Sequence, residues 1–172
     1  LHQQWEETLP ASLPQSSRGA ASATRVFISY AHKDEEFKDE LLIMLAGLQN
    51  RGVIDIWHDR KIESGDEWHK AIRQAMAECS LALLLVSPHF ISSRFIQDEE
   101  LKLLLERRKR DGLRVVPVIV RPCLWKSEPV LRELQALPKN GKPVITFAAD
   151  TGERDQVWVE IGAAIEARAS CD

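Results

Sequence analysis

The sequence of 172 residues is short of cysteine: Cys79, Cys123 and Cys171 are odd in number and far apart. That pattern excludes a disulfide framework and a CxxC metal site, and makes a reducing, cytoplasmic compartment the expected one. Charge of either sign is in no excess, with 23 basic and 26 acidic side chains giving −3. A dedicated nucleic-acid binder would carry a basic surplus or stripe, so direct nucleic-acid contact is not expected. No apolar run approaches the ~20 residues that cross a bilayer. The longest, Leu81 to Val86, has the length of a strand, and no membrane partner is expected. Signal-peptide features and internal repeats are also lacking, although a chain opening at Leu1 leads us to expect a portion upstream. Neither GxGxxG nor GxxxxGK followed by Ser or Thr occurs, which argues against a Rossmann dehydrogenase or a P-loop NTPase. His58, His69 and His89 are too scattered for a metal centre, so no metal is expected.

What the chain does have is core material, 44% hydrophobic residues, in a length that suits one domain without staples. Residues 1–24 stand apart, because Pro10 to Thr24 is rich in Pro, Ser and Ala with almost nothing large and apolar. Such a segment cannot offset its ordering entropy and reads as a linker, leaving 25–170 as the domain. Within it, strands are expected at Val26–Tyr30, Val53–Trp57, Leu81–Val86, Val115–Val120 and Pro143–Phe147. Helical periodicity separates them. The first helix has Asp34 as its N-cap and Gly52 at its end. The second carries Trp68, Ile72, Ala75 and Met76 on one face, and the third runs from Ser93 to Arg110. A short helix fits 128–137 and a last one Gln156–Ala169. Leu81–Val86 is apolar at every position, the pattern of a strand covered on both faces. Five strands alternating with five helices predict an α/β fold: a flavodoxin-like doubly wound parallel sheet, order 2-1-3-4-5, with helices on both faces.

In such a sheet the loop after the first strand (Ser29 to His32), the loop after the second (Asp59 to Gly65) and the entry to the third helix (Ser92 to Glu100) meet above one edge. One residue there is anomalous. With Phe95 at the origin and ~100° per residue, Ile96, Leu103 and Leu104 define an inward stripe, and Glu100 falls inside it. Glu99 sits a step round, toward Phe95 and Glu106. An inward carboxylate costs free energy unless it is paired or lines a cleft, so Glu100 is a candidate functional group. The plainer alternative is a carboxylate at the wet margin of the stripe, neutralised by an arginine.

The segments RVFISYAHKD, IWHDRKIESGDEW, LALLLVSPHFISSRFIQDEEL and VVPVIV, in that order and spacing, resemble the Toll/interleukin-1 receptor (TIR) domain, particularly its bacterial members. The likeness runs from about Arg25 to Ala169. It implies the flavodoxin-like sheet and, in many members, cleavage of NAD at the nicotinamide–ribose bond. Other members only assemble with further TIR domains as signalling scaffolds. The family's catalytic glutamate lies on the third helix, followed by an aliphatic residue and preceded by an aromatic four positions earlier. Leu101 as the aliphatic neighbour selects Glu100, whereas Phe95 lies four before Glu99. The FIxxxEL pattern and the helical phase favour Glu100, with Glu99 the alternative. The likeness carries substrate-binding roles onto Tyr30 and His32, onto Lys61 and Gly65 of the second (BB) loop, 58–66, and onto Trp68 and Phe95.

The resemblance implies NAD as substrate and no separate cofactor. It further implies self-association through TIR–TIR contacts that include the BB loop, an upstream domain or partner protein, and a bacterial signalling or defence setting. One glutamate suffices for that chemistry. Ordinary glycosidases need an acid for the departing oxygen and a second carboxylate opposite. The pyridinium of NAD leaves as neutral nicotinamide, so only the ribosyl cation needs stabilising. Two other readings of the same residues stay open: a catalytically silent TIR–TIR interaction module, and a nucleotide sensor without turnover. A phosphoacceptor receiver shares the fold but needs an aspartate closing the third strand, where this chain has Ser87 and Pro88.

Overall fold

The computed structural model describes residues 22–57, 66–94 and 96–170, with the side chains of 66–68 outside that description. Of the residues singled out above, His58, Lys61, Gly65, Phe95 and Cys171 lie outside the described residues, as does nearly all of the linker, and Trp68 is placed by its backbone only.

The strands are β1 (Thr24–Ser29), β2 (Ile54–Trp57), β3 (Leu81–Val86) and β4 (Arg114–Ile119). They form one parallel sheet in the order β2-β1-β3-β4. The helices are α1 (Glu35–Asn50), α2 (Asp66–Glu78), α3 (Pro88–Ser92), α4 (Lys102–Asp111), α5 (Pro129–Arg132) and α6 (Gly152–Ala169). A π-helical turn, Ile96–Leu101, runs directly into α4.

Every residue of β3 is fully buried, because alternate side chains enter two separate cores. Leu81, Leu83 and Leu85 join Val26, Ile28, Val116 and Val118 under α1 and α6. Ala82, Leu84 and Val86 join Phe27, Val115 and Ile119 under α2, α3 and α4. This is the doubly wound arrangement that the uninterrupted apolar runs imply. Gly52, at φ 72°, lets the chain turn out of α1 into β2, since only glycine takes that left-handed backbone without strain.

The expected fifth strand is absent from the sheet among the described residues. Within Pro143–Phe147 the chain makes a 3-10 turn, Val144–Thr146, touching the sheet through Ile145 N–H donating to Val120 O at 3.0 Å. The outer edge of β4 is already met by Leu137, which donates to Pro117 O and accepts from Ile119 N–H, both at 2.8 Å. Only Val144 of the turn is buried, so the β-branched run has one inward position rather than a strand's alternating set. Pro117 is harmless in β4 because position 117 faces outward, its carbonyl accepting from Leu137 N–H, so the missing N–H is not taken from the ladder with β3. Helix boundaries shift as well. α5 is only Pro129–Arg132, α6 begins at Gly152, and a short extra helix, α3, precedes the predicted start of the third helix at Ser93, whose extended backbone separates α3 from the π turn. Ser93 Oγ accepts from Ile96 N–H at 3.4 Å and so caps the restart, as a serine at this point suggests.

Candidate functional site

Because the sheet is parallel, β1, β3 and β4 deliver their carboxyl ends to one edge, where Ser29, Ser87 and Arg121 follow or close the strands. Ser29 is the last residue of β1 and shares a sheet face with Phe27 and Ala31, the face covered by the π turn and α4. Glu100 enters the same layer from above. It is buried, 7% exposed, and its Oε2 accepts a hydrogen bond from the hydroxyl of the more deeply buried Ser29 at 2.6 Å. Glu99 turns the other way, with a side chain 53% exposed and 3.6 Å from the Arg73 guanidinium of α2. The two adjacent glutamates therefore occupy distinct environments, and the inward one is Glu100.

The other predicted residues divide. Tyr30, one position beyond Ser29, falls on the opposite face and packs against the core under α1, with the buried Lys38 ammonium 5.3 Å from its ring centroid. His32 is exposed on the 3-10 turn His32–Asp34. Neither shares the sheet face of Glu100.

Beside Ser29 lies a buried polar cluster that sequence reasoning missed. Asp34, expected as a helix cap, makes no capping bond with its side chain. Its fully buried carboxylate instead accepts from Ser87 Oγ and from Arg121 Nε, the latter at 2.8 Å. Ser87 Oγ in turn accepts from Phe90 N–H at 3.0 Å, capping α3. The Arg121 guanidinium lies 5.0 Å from the Phe37 ring centroid, and that of Arg154 lies 5.1 Å from it. Arg154, itself buried, pairs with Glu40 at 2.6 Å and Glu36 at 3.4 Å. The loop after β1 is thus tied to the ends of β3 and β4. The signal was present: a polar residue placed directly at the end of a fully buried strand has to find a partner there.

Neither described thiol is prepared for nucleophilic work. Burial pushes the Cys79 thiol up against the lowering influence of Arg107, and burial also pushes up Cys123, which is half-buried rather than fully enclosed. No cluster of His, Cys, Asp and Glu among the described residues could hold a metal ion. No described helix is long and apolar enough to cross a membrane. Two enclosed carboxylates stand at the carboxyl edge of the parallel sheet, Asp34 paired with Arg121 and Glu100 hydrogen-bonded to Ser29, and this edge is the place where such sheets take ligands.

Comparison with known proteins agrees with the resemblance. The uncharacterized protein y4lF of Sinorhizobium fredii (strain NBRC 101917 / NGR234) is 36% identical over 140 residues, 81% of this chain. The chain spans only 42% of the length of that relative. Among solved structures, the TIR domains of the activated Roq1 resistosome directly recognizing the pathogen effector XopQ align over 87% of this chain and 86% of that one. Identity in that alignment is 20% and the TM-score 0.49. A family model described as the TIR domain matches residues 26–165, from the third residue of β1 into the last turns of α6, and the chain belongs to the TIR domain family.

Proposed function

We propose that this TIR domain is an NAD hydrolase in which Glu100 is the catalytic residue. The observation that carries this reading is the burial of the Glu100 carboxylate, 7% exposed, at the carboxyl edge of the sheet and hydrogen-bonded to the end of β1. A carboxylate enclosed away from bulk water interacts strongly with charge that develops beside it, and it needs no reorganisation when that charge appears. In the reaction the bond between ribose C1′ and the nicotinamide nitrogen breaks, and its electron pair leaves with neutral nicotinamide. The ribosyl carbon becomes cationic and Glu100 stabilises it. Water then adds to C1′ and gives up a proton, yielding ADP-ribose. Attack by an adenine-ring nitrogen in place of water gives a cyclic variant. In this reading Phe95 and Trp68 supply the apolar wall, Lys61 and Gly65 contribute to binding from the BB loop, and Tyr30 and His32 contribute from the loop after β1, off the sheet face of Glu100.

In the same reading the domain self-associates through TIR–TIR contacts including the BB loop, 58–66, and works with an upstream domain or partner in a bacterial cytoplasmic signalling or defence system. The chain's match to 42% of a longer bacterial relative is in keeping with a domain that acts as part of a larger protein. The test is NAD loss and product analysis with wild type and Glu100→Gln side by side, at several protein concentrations. Wild type is expected to release nicotinamide with a specific activity that rises with concentration, and Glu100→Gln to lose about a hundred-fold or more, as when one electrostatic group is removed from an active site. Full turnover by Glu100→Gln sinks the assignment. A folded wild type with no turnover at any concentration favours the interaction module.

A further inference from the structure

We propose that Ser29 is the positioning residue of this site, its hydroxyl holding the Glu100 carboxylate in the place from which it acts. This rests on the reading of Glu100 as the reacting carboxylate. Ser29 occupies a position whose neighbours on the same sheet face, Phe27 and Ala31, are apolar and buried. At 1% exposure its hydroxyl is closed off from bulk water, and a hydroxyl without a partner there would cost free energy. It donates a hydrogen bond to Glu100 Oε2 at 2.6 Å. The two residues are 71 positions apart in sequence, so the bond ties the π turn to the sheet rather than to its own helix.

The bond fastens one oxygen of the Glu100 carboxylate to the end of β1 and so narrows the rotamers open to a side chain carried on the π turn. Ser29 is too deeply buried to touch substrate. Its influence passes through Glu100 and belongs to the transition state, where the ribosyl charge develops, rather than to binding.

The test compares Ser29→Ala, Ser29→Thr and Ser29→Val in the full chain. Thr and Val have the same shape and differ by the hydroxyl, so their comparison cancels the packing effect of the added bulk. Ser29→Ala and Ser29→Val are expected to lose about ten-fold in kcat with KM within about two-fold, the split expected for an interaction used in the transition state. Ser29→Thr is expected to keep most of the wild-type kcat. A Val variant as active as the Thr variant overturns the proposal. A second readout needs no turnover: crystal structures of wild type and Ser29→Ala, in which the Glu100 carboxylate is expected to leave its position. An unmoved carboxylate overturns positioning by Ser29, whatever reaction the site performs. If Glu100→Gln is fully active, the assigned reaction falls, while these two crystal structures still decide whether Ser29 places the carboxylate.

Discussion

Replacing Asp34 with Asn separates two roles that one residue can have at the start of α1. As a helix cap, Asn is about as good as Asp, so the substitution should be close to neutral. The geometry says otherwise, because the Asp34 carboxylate makes no capping bond and is spent on Ser87 and Arg121. Asn still accepts from the Ser87 hydroxyl, but the attraction between carboxylate and guanidinium is lost. Hydrogen bonds to charged groups contribute about 1.5–3 kcal/mol each. Asp34 is 0% exposed whereas the Arg121 side chain is 27% exposed, so water compensates the guanidinium in part and the lower end of that range applies. We expect a loss of about 2 kcal/mol, which in a chain of this size lowers Tm by roughly 4–8 °C. The opposite change should be worse. Arg121→Gln leaves an uncompensated charge in the core, and breaking a buried pair from that side costs about 3–5 kcal/mol. Adding Asp34→Asn to Arg121→Gln should then recover part of the loss, a sign that no capping account produces. Urea unfolding of the four proteins, with unchanged m-values, measures all of this. An Asn variant within about 0.5 kcal/mol of wild type, or a double variant that is simply additive, refutes the reasoning.

Two further outcomes follow from burial alone. Arg107, with a side chain 14% exposed, donates from Nη1 to Met76 O and Cys79 O, both at 2.7 Å, at the carboxyl end of α2; Arg107→Met should cost about 2 kcal/mol and raise amide exchange at the end of that helix first. Burial raises the Cys79 thiol above its ordinary value of 9.0, so the folded chain holds that proton more tightly than the unfolded chain, and the stabilisation is complete below 9.0 and lost as pH climbs through the folded value. Thermal unfolding followed from neutral pH upward should show an alkaline decline that is smaller in Cys79→Ala, and equal declines in the two proteins would remove the thiol as its source.

Most of the fold is legible because its signals are local and redundant. Leu81–Val86 has no polar position, so no one-faced element accommodates it, and β3 follows. The failure at Pro143–Phe147 is equally physical. A β-branched run looks the same whether or not a partner edge is free, and Leu137, a residue with no strand signal around it, holds that edge. The same limit hid the cluster of Asp34, Ser87 and Arg121. Each has an acceptable local reading, as a cap, a turn or a loop residue, and their pairing arises only when three strand ends meet. Glu100 was legible for the opposite reason: its anomaly lies within one helix, where spacing alone exposes a charge among apolar neighbours.

The backbone that carries Glu100 shows how that anomaly is built. Periodicity of the α type places Ile96, Glu100 and Leu104 in line at intervals of four, but it swings Leu101 away from them. In the structure all four are buried. The π turn reconciles them, because its i to i+5 hydrogen bonding stacks Leu101 over Ile96, while the α register that resumes at Lys102 stacks Leu104 over Glu100. Two apolar residues therefore flank a carboxylate that would otherwise share its inward face with the helix margin. π turns are looser than the α-helix they interrupt, and they persist where another interaction compensates. Here Leu101 and Ile96 bury themselves in the core under α2, α3 and α4, and the Ser29 hydroxyl receives the carboxylate at 2.6 Å. The inward charge, the irregular helix and the buried serine are three parts of one arrangement: a regular helix of the same composition would keep Glu100 inward but turn Leu101 away from the core that now encloses it.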